Sequence, residues 1–576
     1  MKLLYISIIA ILAFGLSACD DFLTLNPEDT LSPDTYFSSE NELRLWTNSF
    51  YAQMDEADGQ AGQNADDNID NALGAIMEGQ RDPSSENGWN WSMLRKINYY
   101  LQNSHNCTDL EARNHYDGVA YFMRAYFYFK KVQRYGDVPW YNQVIGSADE
   151  ELLYKPRDSR ELVMDSVMAD LDNAISMLRT SKSVSTVTKW TALALKTRAA
   201  LYEGTYRKYH NLGNADKYLK QVVDAGKDFI ANSGYGLYNE GDKSYRDLFI
   251  SDDAKETEVI LTRIYSIESN LRHGIPFNIS NMRQGFTKDF MNHYLMANGT
   301  RISDNAGWET IQYPAETVNR DPRMAQTVLC PGYIQPGTSG KVTNDISALT
   351  GYKCVKFMGE PEFDGAAKAI SDWPLFRTAE VYLNYAEAKA ELNELSQADL
   401  DISINKIRQR ANMPGLNLVA ANGNPDPFLV DYYSNVTQNS NTGVLLEIRR
   451  ERTIELALEG FRQWDLLRWK EGQRFVGPYY GCYFPGEGTY DMDNDGKDDL
   501  ALWVTNEITI PGGTSKQIGV DIKLSDGSSG YVTAFESFDL DWNEERDYLW
   551  PIPTDERVLS GGVLSQNPGW KDSSGY

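Results

Sequence analysis

Glu451, Glu455 and Glu459 recur every fourth residue and are interleaved with Arg452, Arg462, Asp465 and Arg468. Side chains four apart are neighbours on a helix. Two of these carboxylates could therefore lie about 5–5.5 Å apart, the separation found between the acid and nucleophile of a retaining glycosidase. The flanking arginines argue against that use, because they lower carboxylate pKa values whereas a general acid needs a raised one. Charges of alternating sign along one helix over residues 444–469 point to a structural ion-pair network tying helices together.

A second group has metal-ligand spacing. Asp491, Asp493 and Asp495 alternate and are followed by Gly496, Lys497 and Asp499. Ca²⁺ takes about six to eight oxygens at about 2.3–2.6 Å, and carboxylates at alternate positions can curl round one ion. Gly496 would supply the sharp turn, Lys497 a carbonyl ligand, and Asp499 a ligand through water. The twelfth position is Leu502 where an EF-hand has a bidentate Glu, so a structural calcium site is expected and not a switch. The alternative is an acidic surface turn without metal.

A third group suits sugar. Between Asp55 and Trp91 lie Asn64, Asp66, Asp67 and Asn68, then Trp89-Asn90-Trp91. Carboxamides and carboxylates can bond hydroxyls, while indole rings stack on the apolar faces of sugar rings. Each tryptophan is either such a platform or a core residue. Trp308, Tyr313 and Trp373 are further aromatic candidates, and Arg283 could donate to hydroxyl oxygens. Other enzymatic signatures are missing. There are five His, with no His-Glu-x-x-His and no Gly-x-Ser-x-Gly. Gly337-Thr338-Ser339-Gly340-Lys341 lacks the first glycine and the final Ser or Thr of a phosphate loop, and reads as a turn.

The elements that must position these groups are mostly helical. Residues 111–135 carry Val119, Phe122, Ala125, Tyr126, Phe129 and Val132 at helical spacing and stop at Gly136. Residues 159–178 form a second helix with Leu162, Val163, Val167 and Leu171 on one side. Residues 188–206 and 214–231 read as a pair joined by a turn at 211–213, with alanines where helices must approach closely. This resembles tetratricopeptide-type pairing without the strict repeat signature. Residues 234–373 show little periodicity and read as loops and short elements. Pro374 then opens a second helical block over 375–392, 398–411 and 444–469. Residues 478–548 are irregular, and 548–553 form an extended apolar strap.

Charge and cysteine usage bound the partners. A net charge of −27 over 576 residues argues against nucleic acid and anionic membrane surfaces, which need clustered Lys and Arg. Aromatics make up 12%, a surplus that suits sugar binding. Beyond Cys19, only Cys107, Cys330, Cys354 and Cys482 remain, too few for a disulfide scaffold, and their pairing is open. At the start, Lys2 precedes an apolar run over residues 3–16, shorter than the about 20 residues of a membrane span. That run reads as a secretory signal. Leu16-Ser17-Ala18-Cys19 resembles a bacterial lipobox, so residues 1–18 are expected to be removed and Cys19 acylated. Asp20 and Asp21 resemble the export signal of surface lipoproteins.

Together the motifs resemble the SusD/RagB family of surface nutrient-binding lipoproteins over nearly the whole chain. Cys19-Asp20-Asp21-Phe22-Leu23 and Tyr36-Phe37 match the family's opening. Arg124-Ala125-Tyr126, Tyr135-Gly136-Asp137-Val138-Pro139, Pro374-Leu375-Phe376-Arg377, Asn405-Lys406-Ile407-Arg408 and Glu451-Arg452 with Glu459-Gly460 follow in order, and Gln566-Asn567-Pro568-Gly569-Trp570 closes the set. The resemblance implies a mostly α fold: a superhelix of tetratricopeptide-like helix pairs, a loop-rich second lobe and few short strands. It implies one ectodomain over 19–576, with helical scaffold at about 19–233 and 374–471, the loop-rich lobe at about 234–373, and an irregular part at 472–576. It also implies a glycan ligand, no catalysis, and a SusC-like TonB-dependent transporter that the protein covers as a lid. A surface glycoside hydrolase and a receptor for peptide or another non-sugar nutrient are the alternatives.

Overall fold

Asp109 starts the first long helix. Its carboxylate accepts from the backbone N–H groups of Glu111 (3.0 Å) and Ala112 (3.1 Å), which have no carbonyl partner inside the first turn. In the computed structural model, which describes residues 36–572, this helix, α1, spans Leu110–Tyr135 and ends at Gly136 in a positive-φ conformation. Helices α2 (Arg160–Met177), α3 (Lys189–Tyr209) and α4 (Ala215–Asn232) follow, within a few residues of the expected bounds. Leu162 is an exception to the expected burial, being exposed. The α3–α4 turn places Asn211, Gly213 and Asn214 at positive φ. Close approach of the pair depends on Gly204, where an added Cβ would meet Leu219 Cγ at 2.8 Å.

The second helical block departs from the expected bounds in three places. Residues 373–377 are a strand, Trp373–Arg377, hydrogen-bonded antiparallel to Val259–Arg263, and helix α5 begins only at Thr378 and runs to Glu391. Residues 397–410 are two short helices, Gln397–Asp401 and Ile404–Arg410, broken at Ser403. The expected helix over 444–469 is also two: α6 (Thr442–Glu455) and α7 (Arg462–Arg468). Leu458 and Gly460 lie at positive φ between them, which no helix continues through. Glu459 and the charges beyond it therefore leave the axis of Glu451 and Glu455.

The rest is short elements. Residues 234–373 are loop-rich as expected. The carboxy-terminal stretch is more regular than expected. Tyr479–Phe484 pairs with Gly530–Ala534, and Gly488–Tyr490, Leu500–Trp503 and Thr514–Gln517 make a three-stranded sheet. The strap returns to the helices, with Ile552 fully buried and Trp550 N–H donating to Arg134 O at 2.8 Å. One buried cluster runs from Phe37 to Leu564. The fold is mostly α, with few strands in small sheets. Cys107, Cys330, Cys354 and Cys482 are buried free thiols. Cys19 and the signal residues lie outside the described residues. No described helix is long and apolar enough to cross a membrane.

Where the loop-rich lobe meets the second helical block, the charged residues form a buried lattice. Glu455 contacts Arg377 (2.7 Å), Arg410 (2.5 Å) and Arg323 (3.0 Å). Arg377 also reaches Glu258 and Glu459, and Arg323 reaches Asp321 and Glu451. Lys356 pairs with Glu459 at 2.7 Å. Burial alone would raise the Glu455 pKa, but Arg410, Arg377 and Arg323 hold it well below the usual carboxylate range. A lowered folded pKa means that this contribution to stability is present above the unfolded value near 4.5 and is lost as the pH falls through the lowered one. Glu455→Gln should lower unfolding free energy in urea at neutral pH by about 3–5 kcal/mol, because three buried cations lose a counter-charge. An unchanged urea midpoint would show that the lattice is not holding the junction.

Candidate functional site

The loop between Asp55 and Trp91 divides into a buried part and a surface part. Asn64, Asp66, Asp67 and Asn68 are all buried. Asp66 takes a two-pronged contact from Arg462, Nε at 2.7 Å and Nη2 at 2.6 Å, and accepts from the Tyr432 hydroxyl. Asn68 Nδ2 donates to Asp67 Oδ1 at 2.9 Å, and Asn68 Oδ1 accepts from Gln284 at 2.8 Å. Asn64 Nδ2 donates to Ala72 O at 3.0 Å. Burial, and then repulsion from Asp66, pushes the Asp67 carboxyl up to about 7. These four polar side chains are buried and bonded largely within the core, contrary to the expectation that they face a ligand, although Asn64 Oδ1 has no hydrogen-bond partner. Tyr313 and Trp373 are also corrected. Both are buried, Tyr313 donating to Leu329 O and Trp373 to the Gln60 side chain. Trp308 is half-buried with its ring edge-on to Phe428, and Arg283 is exposed.

Trp91 is where the loop reaches the surface, with the buried Trp89 packed against it. Trp89 is 8% exposed and Trp91 is half-buried, their rings in T-shaped contact at 5.3 Å. Trp89 packs on Tyr135 (4.9 Å), and Trp91 on Phe127 (5.5 Å) and Tyr141 (5.8 Å). Lys131 lies 5.4 Å from the Trp91 ring centre and donates to Gly88 O. Glu86 accepts from Arg134 (2.8 Å), Tyr135 (2.7 Å) and Gly88 N–H (2.6 Å), which fixes the chain just before the tryptophans. The two rings line an open pocket of about 460 Å³ with Glu86, Asn87, Asn90, Asp555 and Glu556. Partial burial, and then Asp555, raises the Glu556 carboxyl. Held rings beside carboxamides and carboxylates can stack on a sugar face and bond its hydroxyls. Asp555 and Glu556 were not foreseen. The strap that brings them here was visible, but its landing place was not.

Comparison with known proteins gives the family. A family model described as "SusD family" matches residues 257–570, more than half of the chain. The chain belongs to the SusD family. A second model, "Starch-binding associating with outer membrane", matches residues 45–220. SusD-like protein P38 of Formosa agariphila is 24% identical over 527 residues, 83% of this chain and 94% of that protein. Two crystal structures from Bacteroides fragilis superpose with TM-scores of 0.68. One is a SusD-like protein at 22% identity, covering 95% of this chain and 100% of that one. The other is described as a SusD-like carbohydrate binding protein, at 20% identity, covering 92% and 99%.

In this SusD-family chain the acidic loop near residue 495 brings three carboxylates together. Asp491, Asp493 and Asp499, all half-buried, each offer a carboxylate oxygen within 4.8 Å of the others. Gly496 sits at φ +86°, the sharp turn expected of it, and its N–H donates to Asp491 at 2.8 Å. Partial burial raises the Asp499 carboxyl, and repulsion from Asp493 and Asp491 adds to this. Asp495 departs from expectation. It stands outside this trio and pairs with the Lys497 ammonium at 3.0 Å. Three hard oxygen donors suit Ca²⁺. Calorimetric titration of chelator-treated protein is expected to show one calcium site, abolished by Asp493→Ala with Asp499→Ala. Calcium heat that survives the double substitution would remove this loop from consideration.

Proposed function

We propose that the chain is a non-catalytic glycan receptor, anchored through acylated Cys19 to the outer surface of the outer membrane. It captures nutrient glycan and passes it, as a lid, to a SusC-like TonB-dependent transporter. The observation that carries glycan capture is the pocket on Trp89 and Trp91, which pairs a fixed aromatic platform with hydroxyl-bonding side chains. Family membership, the description of a relative as carbohydrate binding and the starch-binding, outer-membrane description of the second family model support it. Against a hydrolase stand Glu451, Glu455 and Glu459, each buried and paired with Arg or Lys. A structural calcium ion held by Asp491, Asp493 and Asp499 belongs to the same proposal.

The lipobox ending at Cys19 motivates the anchor, and only delivery to a channel lets a tethered receptor feed the cell. Fatty-acid labelling should mark the wild type and vanish in Cys19→Ala, together with outer-membrane fractionation and co-purification of a large barrel protein. A Cys19→Ala variant that stays membrane-bound would contradict the anchor. For capture, Trp91→Ala should cost about 1–3 kcal/mol of affinity for a neutral glycan, as for truncation of a hot-spot ring. Trp89→Ala should weaken binding indirectly, by loosening the Trp91 ring. Unchanged binding by two correctly folded variants would place the site elsewhere.

A further inference from the structure

A second pocket carries the opposite charge. It has a volume of about 270 Å³ and lies between Arg283, residues 346–349 and residues 516–535. Lys516, half-buried at the end of a strand, and the exposed Lys523 stand with Arg283 on its walls. Among the described residues, none of these three cations makes an ion pair, although the net charge of the chain is −27. Arg283 is tied back through Nε to Ser347 O at 2.9 Å, which leaves its two terminal nitrogens free for an oxyanion. Asp521 also lines the pocket, but its carboxylate caps Gln517 N–H at 2.8 Å.

Two further features make this a prepared surface and not a chance cluster. Thr533, 8% exposed, lines the pocket, and its hydroxyl oxygen has no hydrogen-bond partner. Such buried polar atoms are normally satisfied, so a ligand or water is expected there. Phe535 offers a half-buried ring on the same wall. Arg283, Ile346 and Phe535 all hold positive φ, at +55°, +53° and +62°, a strained state that clusters at functional sites. Burial, and then Arg283, lowers the Lys516 pKa, an effect that the Asp345 and Asp521 carboxylates partly oppose.

We propose that this basic pocket is a second saccharide subsite, selecting glycans that carry carboxylate or sulfate groups. Arg283, Lys516 and Lys523 bind the oxyanion, Thr533 bonds a neighbouring oxygen, and the Phe535 ring packs on the sugar. The assignment rests on the glycan-receptor reading above and names the class of glycan received.

Calorimetry with length-matched oligogalacturonide, sulfated galactan oligosaccharide and neutral galacto-oligosaccharide tests it, and the two acidic probes separate uronate from sulfate. At about 0.05 M salt at least one acidic probe should bind about tenfold more tightly than the neutral one, with most of that advantage gone at about 0.5 M. Lys516→Gln with Lys523→Gln should erase the advantage and leave neutral binding unchanged, and Arg283→Gln should reduce it in a protein with unaltered thermal melting. Neutral binding with no acidic advantage, or an advantage that survives the lysine double variant, overturns this proposal and leaves the receptor reading standing. Inorganic sulfate binding as tightly as the saccharides also overturns it. Failure of every saccharide to bind overturns the receptor reading itself.

Discussion

Glu455 and its three arginines set the terms for the rest of the molecule. A carboxylate and guanidinium groups withdrawn from water are costly unless every charge finds its partner. Here the partners come from five separate places: Glu258, Arg323, Arg377, Arg410 and the end of α6. Replacing such a lattice with apolar residues can be neutral or even stabilising, so what it imposes is a condition more than net stability. All five segments must arrive together, or one charge stays buried alone. The loop-rich lobe, which supplies Glu258 and Arg323, is thereby locked to the second helical block. The same lattice keeps Glu455 ionised, the wrong state for a general acid at neutral pH.

Much of the scaffold was legible because local signals agreed. Gly136 marks the end of α1 by cap chemistry alone, and the 211–213 turn announces the α3–α4 pair, whereas the cap at Asp109 was not singled out in the sequence. The misread elements have different causes. Residues 373–377 looked like a helix start until Val259–Arg263 supplied a strand partner. The glutamates and arginines of 444–469 keep helical spacing through Leu458 and Gly460, and only the backbone at those two residues reveals the break. The sheets after residue 478 were illegible because their strands are short and pair across long gaps, Tyr479–Phe484 with Gly530–Ala534.

The candidate sites were legible in type and only partly in place. Asp66 has the chemistry of a sugar ligand, but its partner Arg462 lies 396 residues further along, and no local pattern reports that. Trp89 and Trp91 are two residues apart in the chain, so their proximity was foreseeable, whereas which of them is buried and the acidic rim from 555–556 were not. Arg283 was singled out as a donor. Its companions Lys516 and Lys523 become visible only once the sheet and the 518–524 turn are folded. The two pockets differ in charge while sharing aromatic surface. That division suits a receptor meeting a heteropolymer, one surface reading apolar sugar faces and the other reading their charged substituents.

The central claim is that the carboxylates of this chain hold its structure while its aromatic and basic pockets hold glycan without cutting it. Reducing ends should therefore be counted during prolonged incubation of the purified protein with a glycan it demonstrably binds. The account predicts saturable binding with no reducing ends above the protein-free control. Accumulating reducing ends in the wild type, lost in a folded Glu455→Gln variant, would contradict it.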